Sequence, residues 1–380
     1  MTTNFKENFS LNHIGFGLTA FMQMIGFTLC FCAVSGQGLL VALICITACA
    51  LLSLISKNAI SVPNPLYIVA FFYVCQNTSI LGAFVSISIA STIYILLKKF
   101  LNKCPSPDHI AAGISLGLCI GATILLTNSY FGIGATGATP LEMLKSYRSL
   151  GFHPHFMGLL TGTITLFTMI TYPFKFKKLS KIIPASFITI VIPFVLNLFL
   201  NPDAEYTAIN EASFFVPLKS INVSELFYGF SSEQIFTILE SIIIFFWLFV
   251  VMSDSIEKQK LQISSVPSPF PTSTTSINGY GLLSAIVVLV FTALSFMLFP
   301  HFFARLPIHS AGAMLIVAGW QSIPYKKLVN TFKTKEKKAL KLVCFFVCTL
   351  SFILLNAYTA TIISIIMASL SSPERKEKTT

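Results

Sequence analysis

Residues 58–97 read NAISVPNPLYIVAFFYVCQNTSILGAFVSISIASTIYILL, 40 residues with no charged side chain between Lys57 and Lys98. A helix needs about 20 apolar residues to cross a bilayer. The stretch therefore holds two passes, and the break before them falls at Ser61-Val62-Pro63-Asn64-Pro65. The same charge-free spacing recurs outward in both directions. Nothing charged lies between His155 and Lys175, Lys181 and Asp203, Glu240 and Asp254, or Lys341 and Glu374.

Composition agrees with a membrane chain. Hydrophobic residues make up 54% of the 380 and charged residues 10%, against about a quarter charged in soluble domains. The formal charge of +11 does not argue for nucleic acid, because the basic residues sit in short loops between apolar runs, as the positive-inside rule arranges them. Eight of the nine cysteines fall in apolar runs with no CxxC, which reads as small packing residues. The first apolar run, Ile14–Val34, is too long for a signal peptide and lacks its basic lead and cleavage site.

Helices are predicted at Ile14–Val34, Gly38–Ser56, Pro63–Gln76, Asn77–Leu97, Ile110–Thr127, Phe156–Pro173, Ile183–Leu200, Gln234–Met252, Tyr280–Phe303 and Pro307–Ile323. A hairpin over Leu342–Leu370, turned near Asn356, completes about twelve passes of an all-α polytopic membrane protein. Lys98/Lys99/Lys103, Lys175/Lys177/Lys178/Lys181 and Lys326 through Lys341 then share one side, opposite Asp203, Glu205, Glu211, Glu225 and Glu233. That places both termini in the cytoplasm of an inner-membrane protein. Residues 1–371 form one transmembrane domain, and the polar tail 372–380 reads as disordered.

A second proline string, Ser265-Val266-Pro267-Ser268-Pro269, nearly repeats the first about 200 residues later. Proline removes a backbone donor and favours extended structure before it. Such backbone is tolerated at membrane depth only where it is buried in protein or lines a polar cavity. Paired interruptions in two halves point to a transporter site, where a half-helix starting at mid-membrane offers free N–H groups and a positive dipole end to an anion. Hydroxyls at Thr272, Ser273, Thr275 and Ser276 would add donors. The competing reading is two ordinary loops.

Glu240 opens a charge-free run; an ionisable group at depth marks function by default, whereas at a helix end it is interfacial. Gln23, mid-span, needs a hydrogen-bond partner, in a neighbouring helix or in a substrate. Asn64 is a local turn former or a ligand. Gly132, Gly134 and Gly137 spell GxGxxG, which has meaning only between a strand and a helix; after a membrane span it reads as a loop. His153 and His155 are spaced for a metal but have no third ligand nearby. No HExxH, GxSxG or P-loop pattern argues for an enzyme.

Three ordered stretches resemble the SulP family of anion transporters, the sulfate permeases. His153-Pro154-His155-Phe156 leads through a helix and a basic turn into Lys178-Leu179-Ser180-Lys181-Ile182-Ile183-Pro184-Ala185. Leu239-Glu240-Ser241-Ile242, followed by Asp254, is similar to the family's Glu-Ser helix. Arg305-Leu306-Pro307-Ile308-His309-Ser310-Ala311-Gly312-Ala313-Met314-Leu315 resembles its later Pro-Leu-Ala helix. The resemblance implies two inverted seven-helix repeats with half-helices at mid-membrane. It implies a core (about 14–97 and 234–304) moving against a gate (about 110–200 and 307–370). The anion would sit between a half-helix beginning at Pro63-Asn64-Pro65 and a counterpart near Pro267, with Gln23 nearby and Glu240 near a sodium or proton coupling site.

Two departures stand out. Asp254 to Gly279 must stand in for two helices, and no Arg or Lys lies between Lys260 and Arg305, where the family often carries an arginine. The expectation is a secondary transporter of a small anion (sulfate, bicarbonate or a dicarboxylate), without a bound cofactor and, by resemblance, a homodimer. The alternatives are a non-transporting scaffold of the same fold and a nucleobase-type permease.

Overall fold

The computed structural model describes residues 11–35, 39–56, 60–63, 65–75, 80–101, 107–133, 137, 139–151, 154, 156–200, 232–257, 272–275, 282–299, 302–303, 306–333 and 338–371. Charge-free runs fold into helices because a helix satisfies every backbone group internally, as lipid demands. In chain order these are α1 (Leu11–Val34), α2 (Leu39–Ser56), α3 (Pro65–Cys75), α4 (Ile80–Leu101), α5 (Asp108–Phe131), α6 (Pro140–Leu150), α7 (Phe156–Lys175) and α8 (Ala185–Leu200). The second half contributes α9 (Ser232–Glu257), α10 (Leu282–Leu298), α11 (Ile308–Gln321), α12 (Tyr325–Lys333), α13 (Lys338–Leu354) and α14 (Ala357–Ser371). One helix meets each of the twelve predicted passes. Ile14–Val34, Asp108–Phe131 and Glu233–Val251 are long and apolar enough to cross a membrane outright. Around the outside, large apolar side chains such as Phe167, Phe236 and Met297 are exposed, the surface a lipid solvent requires.

Two helices are additions to the sequence reading. α6 is amphipathic and starts with a capping box: Thr139 Oγ1 accepts from Glu142 N–H while the Glu142 carboxylate accepts from Thr139 N–H, with Pro140 in the first turn. α12 carries Tyr325, Val329 and Phe332 outward on one stripe and turns Lys327 and Thr331 inward. Lys327 Nζ lies 3.2 Å from Asp108 at the start of α5, so a buried cation has its counter-charge.

Small residues set the helix packing, as they do where lipid offers no hydrophobic drive. Gly113, Gly117 and Gly121 form a stripe on α5 against α13: a β-carbon there would lie 2.8, 2.7 and 2.9 Å from the carbonyl oxygens of Phe345, Thr349 and Phe352. α9 packs on α4, and α10 on α1 and α2. α3 and α11 occupy the middle, where Ile68–Val74 of α3 and most of α11 are buried.

Candidate substrate site

The first proline string lies largely within a strand, and a second strand begins three residues after the other string in sequence. β1 (Ile60–Pro63) and β2 (Thr272–Thr275) pair antiparallel, with Ile60 opposite Thr275, Ser61 opposite Thr274, Val62 opposite Ser273 and Pro63 opposite Thr272. β-Branched Ile, Val and Thr suit an extended ladder, and Pro63 stands at a strand end, where a missing N–H costs least. The pairing satisfies backbone that no helix serves, the condition for irregular chain at membrane depth. α1 and α2 pack on β1, and α3 touches β2.

α3 begins at Pro65, the first helical position, where proline's missing donor would have no intrahelical partner anyway. The half-helix expected from Pro63 therefore starts two residues later, because Pro63 belongs to the ladder. At 11 residues it is about 16 Å long, half of a bilayer core. Its N-terminal N–H groups and positive dipole end lie beside the strand pair.

Packing holds α3 in place. The Phe71 ring meets Phe31 of α1 at 5.3 Å, Phe84 of α4 at 4.9 Å and Phe245 of α9 at 5.9 Å. Tyr73 O–H donates to Phe352 O of α13 at 2.8 Å. A β-carbon on Gly319 of α11 would touch Val69 at 3.2 Å.

Thr272, Ser273 and Thr275 sit in a strand, which corrects the expectation of a second half-helix across those positions. Asn64, Pro267 and Ser276 lie outside the described residues, as do His153, His155 and the tail 372–380. Gln23 is half-buried on α1, the helix that packs on β1. Glu240 is half-buried on α9 beside Ser241, whose hydroxyl donates to Thr237 O at 2.7 Å. α9 is tied to α4 there by Ser86 O–H donating to Ile238 O at 3.1 Å.

The boundary between the expected core and gate runs along α1. Gly26 meets the backbone of Ser186 on α8, where a β-carbon would come within 2.7 Å of the carbonyl oxygen. Thr19 O–H donates to Ile182 O at 3.0 Å, and Cys30 Sγ lies 3.1 Å from Met314 Sδ of α11. Ser186 Oγ is buried with no hydrogen-bond partner among the described residues.

Sequence reasoning missed His309. Its ring lies in a glycine cradle in which β-carbons on Gly132 and Gly158 would fall 2.5 and 2.0 Å from imidazole atoms. Its Nδ1–H donates to Tyr130 O at 3.0 Å. Gly132 ends α5 at φ 67°, a left-handed cap that glycine adopts without strain. The GxGxxG spacing thus begins at a helix cap.

No protein-family model matches the sequence, and no curated protein matches it. Solved structures do. The transmembrane domain of a cyanobacterium bicarbonate transporter, BicA, matches with a TM-score of 0.70 at 16% identity, over 93% of this chain and 97% of that one. SLC26A9 matches at 0.65 and 13% identity, over 96% of this chain and 66% of that one. The murine Slc26a9 anion transporter in the inward-facing state matches at 0.59 and 10%, over 95% and 68%. The chain is a polytopic α-helical membrane protein with the fold of the BicA transmembrane domain, shared with SLC26A9.

Proposed function

We propose that the chain is a secondary transporter of a small anion, bound where β1 and β2 meet the N-terminus of α3 and moved by alternating access. The observation that carries this reading is the strand pair. It joins the first proline string to a hydroxyl-rich segment that begins three residues after the second, about 200 residues along the chain, beside a buried half-helix whose dipole favours negative charge. On this reading a core of α1–α4, α9 and α10 moves against a gate of α5, α7, α8, α11, α13 and α14. Glu240 is the candidate coupling residue for sodium or a proton. The lysine-rich side, with both termini, faces the cytoplasm.

In sequence the cation nearest either strand is Lys57, three residues before β1. Desolvation cost grows with the square of an ion's charge, while its attraction to a fixed dipole grows only linearly. β1, β2 and α3 carry no cation of their own, which suits a singly charged anion such as bicarbonate better than sulfate.

Uptake of radiolabelled bicarbonate and sulfate into proteoliposomes tests this, with and without sodium and pH gradients. Wild type should take up bicarbonate in preference. Ser273→Pro, which puts a proline inside β2 opposite Val62 and leaves the helices alone, should abolish uptake, and Glu240→Gln should remove its gradient dependence.

A second reading, a non-transporting scaffold of the same fold, draws on one observation. β1 is followed almost directly by the 11-residue α3, whereas the next described helix after β2 is α10, 17 residues beginning at Leu282. Folded wild-type protein that moves no anion in a broad panel would favour it.

A further inference from the structure

The turn between α7 and α8 holds Lys175, Lys177, Lys178 and Lys181, all exposed. Among the described residues none of them forms an ion pair, and the sequence has no Asp or Glu between Glu142 and Asp203. Interleaved with them, Phe174, Phe176, Leu179 and Ile182 are 70, 54, 43 and 62% exposed. Four large apolar side chains in so short a segment are costly to leave in water. Four ammonium groups are costly to place in hydrocarbon. Only the boundary between acyl chains and headgroups satisfies both, with apolar side chains dipping inward and lysine stems reaching outward.

The turn is a built framework. Ser180 N–H donates to Phe176 O at 2.8 Å, and Ile182 and Ile183 N–H both donate to Leu179 O, at 3.0 and 2.8 Å. Tyr172 O–H donates to Ile183 O at 3.1 Å, and Thr19 O–H of α1 to Ile182 O at 3.0 Å. The lysines therefore project from fixed backbone, and the ordering cost of binding is largely met before a ligand arrives.

We infer that the α7–α8 turn is a binding site for anionic phospholipid headgroups, its lysines contacting the phosphate and its apolar side chains packing on the attached acyl chains. The acyl contacts make the partner a lipid rather than a free phosphate. A lysine near an anionic bilayer surface contributes about a fivefold gain in affinity, so four acting together select anionic over zwitterionic lipid.

The test is native mass spectrometry of the full-length protein in neutral micelles, titrated with phosphatidylglycerol, phosphatidylcholine or soluble glycerol 3-phosphate. Wild type should retain phosphatidylglycerol at far lower concentration than phosphatidylcholine, and glycerol 3-phosphate should neither bind nor displace it. Lys178→Gln and Lys181→Gln should each weaken phosphatidylglycerol binding about fivefold. The quadruple Lys→Gln variant should abolish the preference and the quadruple Lys→Arg variant should keep it, both eluting as folded protein. Equal retention of the two lipids by wild type, unchanged preference in the quadruple Gln variant, or displacement by glycerol 3-phosphate would each overturn the inference. If the quadruple variant fails to fold, the two single substitutions decide.

Discussion

Two seams in this molecule are built from the same element, a glycine pressed on a neighbouring backbone, yet they are finished differently. Along α5 and α13 the contact repeats at Gly113, Gly117 and Gly121. It is closed by a polar bond across the seam, Thr349 O–H to Gly113 O at 3.2 Å, with a second bond to Phe345 O at 2.9 Å. Between α1 and α8 there is one such glycine, Gly26, and the hydroxyl beneath it, on Ser186, is buried without a partner among the described residues. The cross-seam bond nearby, Thr19 to Ile182, lies about two turns along α1 and reaches the turn before α8 instead of α8 itself. A seam bonded across its glycine stripe is held in one register. A seam with an unmet hydroxyl and a single close contact has less to lose by sliding. The first lies inside the proposed gate and the second divides gate from core, so the difference in finish follows the proposed division of labour.

The largest expected effect breaks the closed seam. Gly117→Leu drives a side chain into a place where the β-carbon alone would sit 2.7 Å from Thr349 O. Overpacking of this kind costs about 3 kcal/mol, and most of the protein should be lost from the monodisperse peak in size-exclusion chromatography. Gly26→Ala meets Ser186 O at the same 2.7 Å but at the seam proposed to move. It should cost about 1–2 kcal/mol, leave folded protein, and stop uptake by fixing the seam in a displaced register. If both variants fail to fold alike, the two seams are equivalent and the comparison is broken.

A smaller effect sharpens how α11 is fixed. Gly158→Ala would place its β-carbon 2.0 Å from His309 Nε2. The neighbour is a side-chain end, so His309→Ala in the same chain should recover part of the loss. A double-mutant cycle by thermal unfolding should show about 1–2 kcal/mol of coupling.

How much of this was legible in the sequence follows from the range of each signal. Spans were readable because a charge-free run such as 58–97 has one solution in lipid. α6 and α12 were overlooked because a search for apolar runs does not find amphipathic helices, although Thr139-Pro140-Leu141-Glu142 spells a capping box with proline in the first turn. The Gly113/Gly117/Gly121 stripe is likewise a readable small-residue repeat. The likeness of the two proline strings was visible, but not that Ile60–Pro63 pairs with Thr272–Thr275, since register between segments about 200 residues apart is decided by the packing of α1, α2 and α3 around them. The His309 cradle joins α5, α7 and α11, and no local pattern announces it.

The smallest expected effects bear most directly on the difference between the seams. Thr349→Val keeps shape and removes the hydroxyl that closes α5 on α13. Gly113 O would lose that donor, at a net cost of about 1 kcal/mol. Ser186→Ala removes a hydroxyl that is buried without a partner among the described residues, and so removes a desolvation cost. It should leave stability unchanged or raise it by up to about 1 kcal/mol. Opposite signs in the thermal midpoint, measured in one detergent, would confirm that the hydroxyl is bonded in one seam and unmet in the other. Uptake then separates rest from motion. If Ser186 Oγ gains a partner only after α1 slides, Ser186→Ala should slow transport while the resting protein grows no less stable. A Ser186→Ala variant that loses stability would mean that the hydroxyl is already bonded in the resting state, and the α1–α8 seam would then be as closed as the seam between α5 and α13.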